Sequence, residues 1–276
     1  MKRNWPEGKH VAVLFTIMFE GWEEGAAPGV GPMGNALKPG YYDTANAGWA
    51  KYAANNGLER QLKILKEEEI KASVFCSGVQ MERHPDLIKK IAAEGHEVCL
   101  HSLAQNIIPI YLDEATEREQ MSHCLDLAVS LTGKHPVGYC SPRCTPSLNT
   151  SKLLAENGLK YPIDWMGSDL PMVEHTEAGD ICLMPFPMNV NDMPLYVRYG
   201  NAPDQYYRNL VDEFENWYAK HPEEKVVYWI TAHSHVFGRP FGAVQFQRCI
   251  QYIKSLPYVW IAQPHEVAST VLDVTY

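Results

Sequence analysis

The sequence predicts an α/β fold, an irregular (β/α) barrel of seven or eight parallel strands, and three observations support this prediction. Short apolar runs alternate with amphipathic stretches along nearly all of the 276 residues, as in folds whose parallel strands are joined by helices. Most runs are apolar along their length, which is typical of strands covered on both faces. The sequence contains neither a dinucleotide-binding glycine fingerprint nor a P-loop, and an open doubly wound sheet is the second choice.

Eight runs are predicted to be strands because they are short, rich in Val, Ile or aromatic residues, and bounded by Gly, Pro or polar residues. They are Val11–Phe19, Ala72–Ser77, Glu97–Ser102, Val137–Ser141, Lys160–Ile163, Ile181–Phe186, Val226–His233 and Val259–Ala262. The stretches between them are predicted to be helices, several of which end before a glycine. These helices are Trp49–Glu69, Asp86–Glu94, Asp113–Leu131, Ser147–Asn157, Pro203–Lys220 and Phe241–Ser255.

A single domain over residues 1–276 is expected, because no linker, repeat or low-complexity tract interrupts this alternation. One segment differs in composition: residues 21–48 are rich in glycine and proline and follow the first strand directly. A loop of this length inside a compact domain is usually functional or disordered. Because it carries Trp22, Tyr41 and Tyr42, we expect a lid that contacts something flat.

Charge and hydropathy exclude several classes of protein. The formal net charge is −9 and no basic stripe is visible, so neither duplex nucleic acid nor an anionic membrane surface is an expected partner. The longest apolar run near the start, Val11–Phe19, is about half of what a bilayer crossing needs. A secretory signal would need a longer apolar centre, so a cytoplasmic location is expected.

The seven cysteines are odd in number and scattered, which favours buried free thiols in a reducing compartment. No pair has C-x-x-C spacing. Cys140 and Cys144 lie four residues apart, but the sequence around them lacks the further partners of a zinc cluster.

Candidate catalytic residues follow the predicted strands, because in a barrel of parallel strands the working side chains lie at the carboxyl ends. Glu20 follows the first strand, His101 the third and His233 the seventh, so one carboxylate and two imidazoles are expected at one edge. Such a group suits acid–base chemistry, since imidazole titrates near neutral pH. Other polar residues in equivalent positions are Arg143, Asp164, Asp169, Asn189, Asn191, Asp192, His235 and Arg239.

Structural roles compete with these functional ones. A single Asp or Asn after a strand is more often a helix cap, which is the alternative for Asp164 and Asn189. Arg143 has the alternative of pairing with an acid below the strand ends. His101 and His233 both end apolar strands at the same edge, and this joint occurrence favours a functional role for the pair.

Four segments share the order and spacing of a known set of motifs. They are VAVLFTIMFEG at 11–21, GHEVCLHS at 95–102, GYCSPR at 138–143 and AHSHVFGRP at 232–240. Together they resemble the polysaccharide deacetylase (NodB-homology) superfamily, and more closely its ring-opening branch of allantoinase-like enzymes and cyclic imide hydrolases. The resemblance spans residues 9–270 and implies a NodB-type barrel that hydrolyses a cyclic amide.

The sequence departs from the superfamily at its metal ligands. The resemblance implies paired aspartates after the first strand and a His-x-x-x-His pair, but this chain has Thr16-Ile-Met-Phe19 and His101-x-x-x-Gln105. A zinc ion normally needs three protein ligands, so we expect no cofactor. A rearranged zinc site formed by Glu20, His101 and Gln105 is the alternative.

The resemblance implies an imide or ureide substrate, such as a succinimide-, hydantoin- or allantoin-like ring. We expect Glu20 to act as general base, with its pKa raised by the apolar strand, and His233 to protonate the leaving nitrogen. His101 would hold water or stabilise the oxyanion, and Arg143 would grip a carbonyl or a carboxylate, or orient Glu20. The residues expected to bind the substrate are Trp22, Tyr41, Trp165, Asp169, Asn191, Asp192, His235 and Arg239.

Two other functions stay open at this point. One is a metal-dependent carbohydrate or peptidoglycan N-deacetylase, and the other is a non-catalytic barrel that only binds. The expected partner is a small cyclic amide, and the resemblance also implies a homo-oligomer, commonly a homotetramer in this branch.

Overall fold

A computed structural model describes residues 5–27, 37–38, 40–186 and 188–272 of the chain. The predicted lid at 21–48 lies partly outside the described residues, because 28–36 and 39 are not among them. In the described part, no helix is both long enough and apolar enough to cross a bilayer.

A parallel sheet forms the centre of the fold and confirms the predicted α/β class. Its strands curl into a half-barrel in the order β5-β4-β3-β2-β1-β8, and β9 also pairs with β1. The strands, with an antiparallel hairpin of β6 and β7, are β1 (Val11–Phe19), β2 (Ser73–Cys76), β3 (Glu97–Leu100), β4 (Gly138–Tyr139), β5 (Tyr161–Pro162), β6 (Met172–Thr176), β7 (Gly179–Leu183), β8 (Val226–His233) and β9 (Val259–Ala262).

Strand β1 has three neighbours, and all nine of its residues are buried. Strand β8 pairs with it from Val11 to Met18 along one edge. On the other edge β9 pairs with Val11–Leu14, whereas β2 pairs with Thr16–Phe19. A strand enclosed in this way must be apolar throughout, which explains why its sequence carries no charge before Glu20.

The β6–β7 hairpin is the main departure from the predicted strands. The sequence predicts one strand at Ile181–Phe186, whereas the structure has β7 two residues earlier and pairs it with β6. Strand β6 was missed because it is half-exposed and contains Glu174 and His175, so it has no apolar run. Beyond the hairpin, Cys182 N donates to Lys160 O (2.9 Å), which continues the barrel past β5.

The helices surround the sheet. They are α1 (Thr44–Tyr52), α2 (Leu58–Glu67), α3 (Gly78–Arg83), α4 (Pro85–Ala93), α5 (Glu114–Thr132), α6 (Thr150–Glu156), α7 (Gln205–Glu213), α8 (Pro240–Lys254) and α9 (Pro264–Leu272). A π-helical segment, Ala53–Gly57, joins α1 to α2, so the predicted helix at Trp49–Glu69 contains one wider turn. The turn after β8 presses against this segment, because a Cβ on Gly57 would lie 1.8 Å from the carbonyl oxygen of Ser234.

Candidate active site

Three imidazoles converge on one carboxylate at the carboxyl ends of β1, β3 and β8. Glu20 Oε1 lies 3.4 Å from His101 Nε2 and 3.5 Å from His233 Nε2. Glu20 Oε2 lies 3.7 Å from His235 Nε2. All four residues are buried. The sequence analysis expected Glu20, His101 and His233 to meet, and the structure brings them together with His235.

The register of the strand pairing brings these side chains together. In the pairing of β1 with β8, His233 lies opposite Met18, one residue before the end of β1. Strand β2 pairs Cys76 with Phe19, and His101 N donates to Cys76 O (3.0 Å). The last residues of three parallel strands therefore lie at one level, and the next side chains share one volume.

Asp192 binds the ring nitrogen of His233 that faces away from Glu20. Asp192 Oδ1 accepts a 2.6 Å hydrogen bond from His233 Nδ1. Its Oδ2 accepts from the backbone N–H groups of His233 (2.9 Å) and Phe237 (3.1 Å). Burial opposes charge on the ring, but Asp192 and Glu20 on either side outweigh it and raise the pKa of His233 to about 10. His233 is therefore an imidazolium at neutral pH.

The pKa of Glu20 is lowered, which corrects the expectation that the apolar strand would raise it. Burial does act to raise this pKa, but the positive charge of His233 and hydrogen bonds from His101 and His233 outweigh burial. They hold the pKa of Glu20 well below its usual range. Glu20 is therefore a carboxylate paired with a cation.

His101 has its orientation fixed by the backbone. Its Nδ1 lies 2.8 Å from the carbonyl oxygen of Cys140. A carbonyl only accepts hydrogen bonds, so Nδ1 carries the hydrogen; Nε2 then donates to Glu20 when the ring is charged, and offers a lone pair to a bridging water molecule when the ring is neutral. His101 can thus accept a hydrogen bond from a water molecule at the carboxylate.

His235 occupies an aromatic enclosure. Its ring meets Trp49 edge-on at 4.3 Å and Trp22 at 5.3 Å between centroids, and neither ring nitrogen has a hydrogen-bond partner. Burial lowers the pKa of His235 to about 3, even though Glu20 acts to raise it. The ring is therefore neutral, and one of its nitrogens lies within reach of whatever binds at Glu20.

The residues around Glu20 do not fit a three-ligand zinc site. Gln105 stands where the resemblance implies a second histidine, and its Nε2 donates to Ser77 Oγ (3.1 Å) and His101 O (3.2 Å). Its amide is thus held as a donor within the loop. Among the described residues, no three of Glu20, His101, His233 and His235 bring their ligand atoms within 4.8 Å of one another.

A cavity of about 240 Å³ adjoins Glu20 between the loop that follows β1 and the helices α1 and α3. Gln80 Nε2 donates to Glu20 O (2.7 Å), and Arg83 Nη1 donates to Trp22 O (2.8 Å). Gln80 and Arg83 were not among the predicted site residues, although Gln80 follows the second strand just as His101 follows the third. Other lining residues are Trp22, Tyr42, Lys51 and His84.

The structure leaves two of the predicted contacts, Arg143 and Tyr41, exposed and places a third, Asp169, far from Glu20. Arg143 has a φ of 59°, its backbone oxygen accepts from Thr145 Oγ1 (3.0 Å), and its guanidinium makes no hydrogen bond or ion pair with any described residue. The backbone oxygen of Asp169 accepts from Val227 N at the amino end of β8, about 20 Å from His233 at 3.3 Å per residue. Asp169 was placed wrongly because the chain turns back into β6 after β5. Tyr41 is 74% exposed.

Two further predicted contacts make hydrogen bonds within the fold. Asn191 is buried and its Oδ1 accepts from Met193 N (3.0 Å), whereas Asp192 is fully buried with both oxygens engaged by His233 and Phe237. Arg239 stacks on Tyr52, with its guanidinium carbon 3.9 Å from the ring centroid. Trp165 is half-buried and its indole N–H has no partner.

Comparisons with known proteins show which proteins the chain is similar to. Residues 40–162 match the model of the polysaccharide deacetylase family. A peptidoglycan deacetylase of Helicobacter pylori is 24% identical over 254 residues, 80% of this chain and 85% of that protein. A peptidoglycan deacetylase-like protein of Gibberella zeae is 31% identical over 171 residues, 60% of this chain, and the match spans 48% of the Gibberella protein.

Solved structures match over nearly the whole chain. The crystal structure of Puue allantoinase superposes with a TM-score of 0.84 at 28% identity, covering 97% of this chain and 92% of that one. A probable polysaccharide deacetylase from Pseudomonas aeruginosa superposes with a TM-score of 0.84 at 27% identity, covering 97% and 93%. Residues 40–162 therefore carry a polysaccharide deacetylase domain, and nearly the whole chain is similar to polysaccharide deacetylases and an allantoinase, which are hydrolases that act on carbon–nitrogen bonds.

Proposed function

We propose that this protein hydrolyses a C–N bond of a cyclic amide, a ring of the imide or ureide class. The observation that carries the proposal is the arrangement of His233 between two carboxylates, beside the fixed imidazole of His101. His233 Nδ1 lies 2.6 Å from Asp192 Oδ1, and His233 Nε2 lies 3.5 Å from Glu20 Oε1. The arrangement supplies a base and an acid on neighbouring strands without requiring a metal ion.

The first step is attack by water on the ring carbonyl. Glu20, ionised and shielded from bulk solvent, accepts a hydrogen bond from the water and takes its proton as the new C–O bond forms. His101 Nε2 accepts the second O–H and so fixes the direction of attack. His235 is neutral and lies beside the same carboxylate, so it can donate to the carbonyl oxygen as negative charge develops.

The second step is departure of the ring nitrogen. The imidazolium of His233 gives the Nε2 proton to nitrogen as the C–N bond breaks. The ring opens to a carboxylic acid, which releases its remaining proton to solvent, and an amide or urea on one molecule. Asp192 accepts from Nδ1 throughout, so it stabilises the positive charge that His233 carries before the transfer. The proton on Glu20 then returns His233 to its charged state.

A cyclic imide or ureide suits this machinery better than an acetylated sugar. The nitrogen of such a ring is electron-poor and leaves readily, whereas the deacetylases of this superfamily are expected from resemblance to use a metal. Gln105, which is held by Ser77 and His101, occupies the position of one such ligand. The 28% identity to Puue allantoinase over 97% of the chain supports a ring substrate.

A second candidate is a metal-dependent N-deacetylase that acts on carbohydrate or peptidoglycan. It is favoured by the relatives named peptidoglycan deacetylase, including the Helicobacter pylori protein. This candidate requires acetate release from N-acetylglucosamine oligomers that depends on added zinc and stops with a chelator. Ring opening in the presence of the chelator, without acetate release, decides for the cyclic amide.

The test is a panel of succinimide, maleimide, hydantoin, dihydrouracil and allantoin, followed by pH-stat. We expect turnover of at least one ring, and a loss of about 10²–10⁴-fold in Glu20→Gln and in His233→Ala. His175→Ala is the matched control, because His175 pairs with Asp180 at 2.7 Å on the exposed hairpin. Absence of turnover of both the cyclic amides and the N-acetylglucosamine oligomers would favour a barrel that only binds. Equal activity in wild type, Glu20→Gln and His233→Ala would refute the assigned roles.

The homotetramer implied by the resemblance stays a prediction. Light scattering of the purified protein measures the mass in solution, and a monomer of 31.2 kDa would contradict it.

A further inference from the structure

A second group of ionisable side chains lies behind His101, outside the site described above. The two sulfur atoms of Cys140 and Cys144 and a carboxylate oxygen of Asp164 all lie within 4.8 Å of one another. In the part of the chain that the structure describes, no other His, Cys, Asp or Glu side chains come together this closely in threes. The sequence analysis found no further partner for the two cysteines because Asp164 comes from the next strand, β5.

An unfavourable backbone conformation at two residues brings the two thiols together. Cys140 follows β4 and is buried, and a short 3₁₀ turn at Pro142–Cys144 folds the chain back on it. Arg143 and Cys144 both have left-handed backbones, with φ of 59° and 50°, a conformation that is unfavourable for side chains of this size. The N–H of Cys144 donates to Ser141 O (2.9 Å), which closes the turn.

Hydrogen bonds hold the carboxylate of Asp164 beside the thiols. Ser141 Oγ donates to Asp164 Oδ2 (2.6 Å), and Ser141 N donates to Asp164 Oδ1 (2.9 Å). Oδ2 also accepts from Ser141 N (3.1 Å), so Oδ1 is the oxygen that keeps a lone pair for another partner. Carboxylates that bind metals are commonly oriented in this way by neighbouring donors.

We infer that Cys140, Cys144 and Asp164 bind a thiophilic divalent cation of the zinc class, with water as the fourth ligand. Thiolates select such cations, and two sulfurs with one carboxylate supply three of four tetrahedral positions. Zn–S bonds of about 2.3 Å place two tetrahedral sulfurs about 3.8 Å apart, so the cluster needs only a small contraction. Binding releases the two thiol protons to solvent, and no bond is oxidised or reduced.

This site is separate from Glu20, but it is connected to the candidate active site through His101. The cation's ligand Cys140 also presents the carbonyl oxygen that accepts from His101 Nδ1. A bound cation would fix the turn that carries this carbonyl, so it acts on His101 as a positioning element. Cys144 is half-buried, which leaves a route from solvent to the fourth position.

Cobalt titration tests the inference without a substrate, so its outcome is independent of the proposed hydrolase activity. The full chain is reduced until all seven cysteines titrate as thiols, and Co²⁺ is added without oxygen. We expect one equivalent to give thiolate-to-cobalt and tetrahedral absorption bands, and Zn²⁺ to displace them. Cys144→Ser and Asp164→Asn should weaken binding by about tenfold or more, within the range seen when metal-site residues are changed.

Two control variants locate the bound ion. Cys249→Ala removes a buried thiol of α8, and Glu20→Gln removes the carboxylate of the candidate active site. Both should keep the bands at unchanged affinity. Absence of the bands in the reduced protein, bands of full strength in Cys144→Ser, or their loss in Glu20→Gln would each overturn the assignment. Cys144 is half-buried, so its replacement by serine is compatible with folding, which circular dichroism checks.

Discussion

Asp192→Asn should move the alkaline limit of activity without abolishing the reaction. In the proposed mechanism His233 must be protonated, and its pKa is raised from its usual 6.5 to about 10. A rise of this size corresponds to about 5 kcal/mol of preference for the imidazolium, since one pKa unit is about 1.4 kcal/mol. Asp192 supplies the largest favourable contribution, through its charge and through the 2.6 Å hydrogen bond.

Burial lowers the pKa of His233, and the carboxylates of Asp192 and Glu20 raise it. In Asp192→Asn only the Glu20 carboxylate of this pair remains to oppose burial. A neighbouring opposite charge typically shifts a pKa by 1–3 units, so the pKa of His233 should fall by about 2. The alkaline limb of kcat/KM for the ring substrate should then move from near pH 10 toward pH 8. At pH 9 the variant would lose about tenfold more activity than at pH 7, because about one enzyme in ten stays protonated.

The assay is a pH profile of kcat/KM for wild type and variant, with thermal unfolding as a control for folding. Wild type should be flat from neutral pH to about pH 9, because Glu20 is ionised well below this range. A merely structural role for Asp192 would lower activity equally at every pH. An unmoved alkaline limb in a folded variant would refute the assignment of His233 as the acid.

Three other outcomes follow from the same geometry. His235 takes up no proton in the folded state until about pH 3, whereas its unfolded pKa is near 6.5. Wild type should therefore lose about 2 kcal/mol of unfolding free energy relative to His235→Phe between pH 6.5 and 4.5, measured by urea unfolding. Gly57→Ala should cost about 1–3 kcal/mol and lower activity, because its Cβ would meet the Ser234 carbonyl at 1.8 Å; unchanged denaturation and kinetics would contradict this. Arg143→Ala should change kcat/KM less than twofold, and a large loss would show that the exposed guanidinium reaches the substrate.

The sequence was sufficient to predict which residues lie at the strand ends. Glu20, His101 and His233 each follow a run that is apolar because it is buried, and parallel strands end at one level, so their meeting follows from pattern alone. Strands β1, β8 and β9 have the predicted bounds for the same reason.

What the sequence could not predict depends on long-range contacts. Asp192 precedes His233 by 41 residues and follows a stretch with no regular strand, so nothing local shows that it lies behind the imidazole. The sign of the Glu20 pKa shift could not be predicted either, because it depends on that partnership. The exposure of Arg143 could not be predicted either, because it depends on the left-handed backbone at 143 and 144, and its contact with a substrate stays a prediction.

The three-way pairing of β1 has a consequence for how the protein matures. Its partners are supplied by stretches that follow it by about 60, 215 and 250 residues, and such distant pairings are slow to form. A nascent chain that has emerged only as far as α7 therefore has β1 without two of its three neighbours. Glu20 and His233 meet only when β8 has docked beside β1, so under the proposed mechanism a product that lacks β8 is inert rather than partially active.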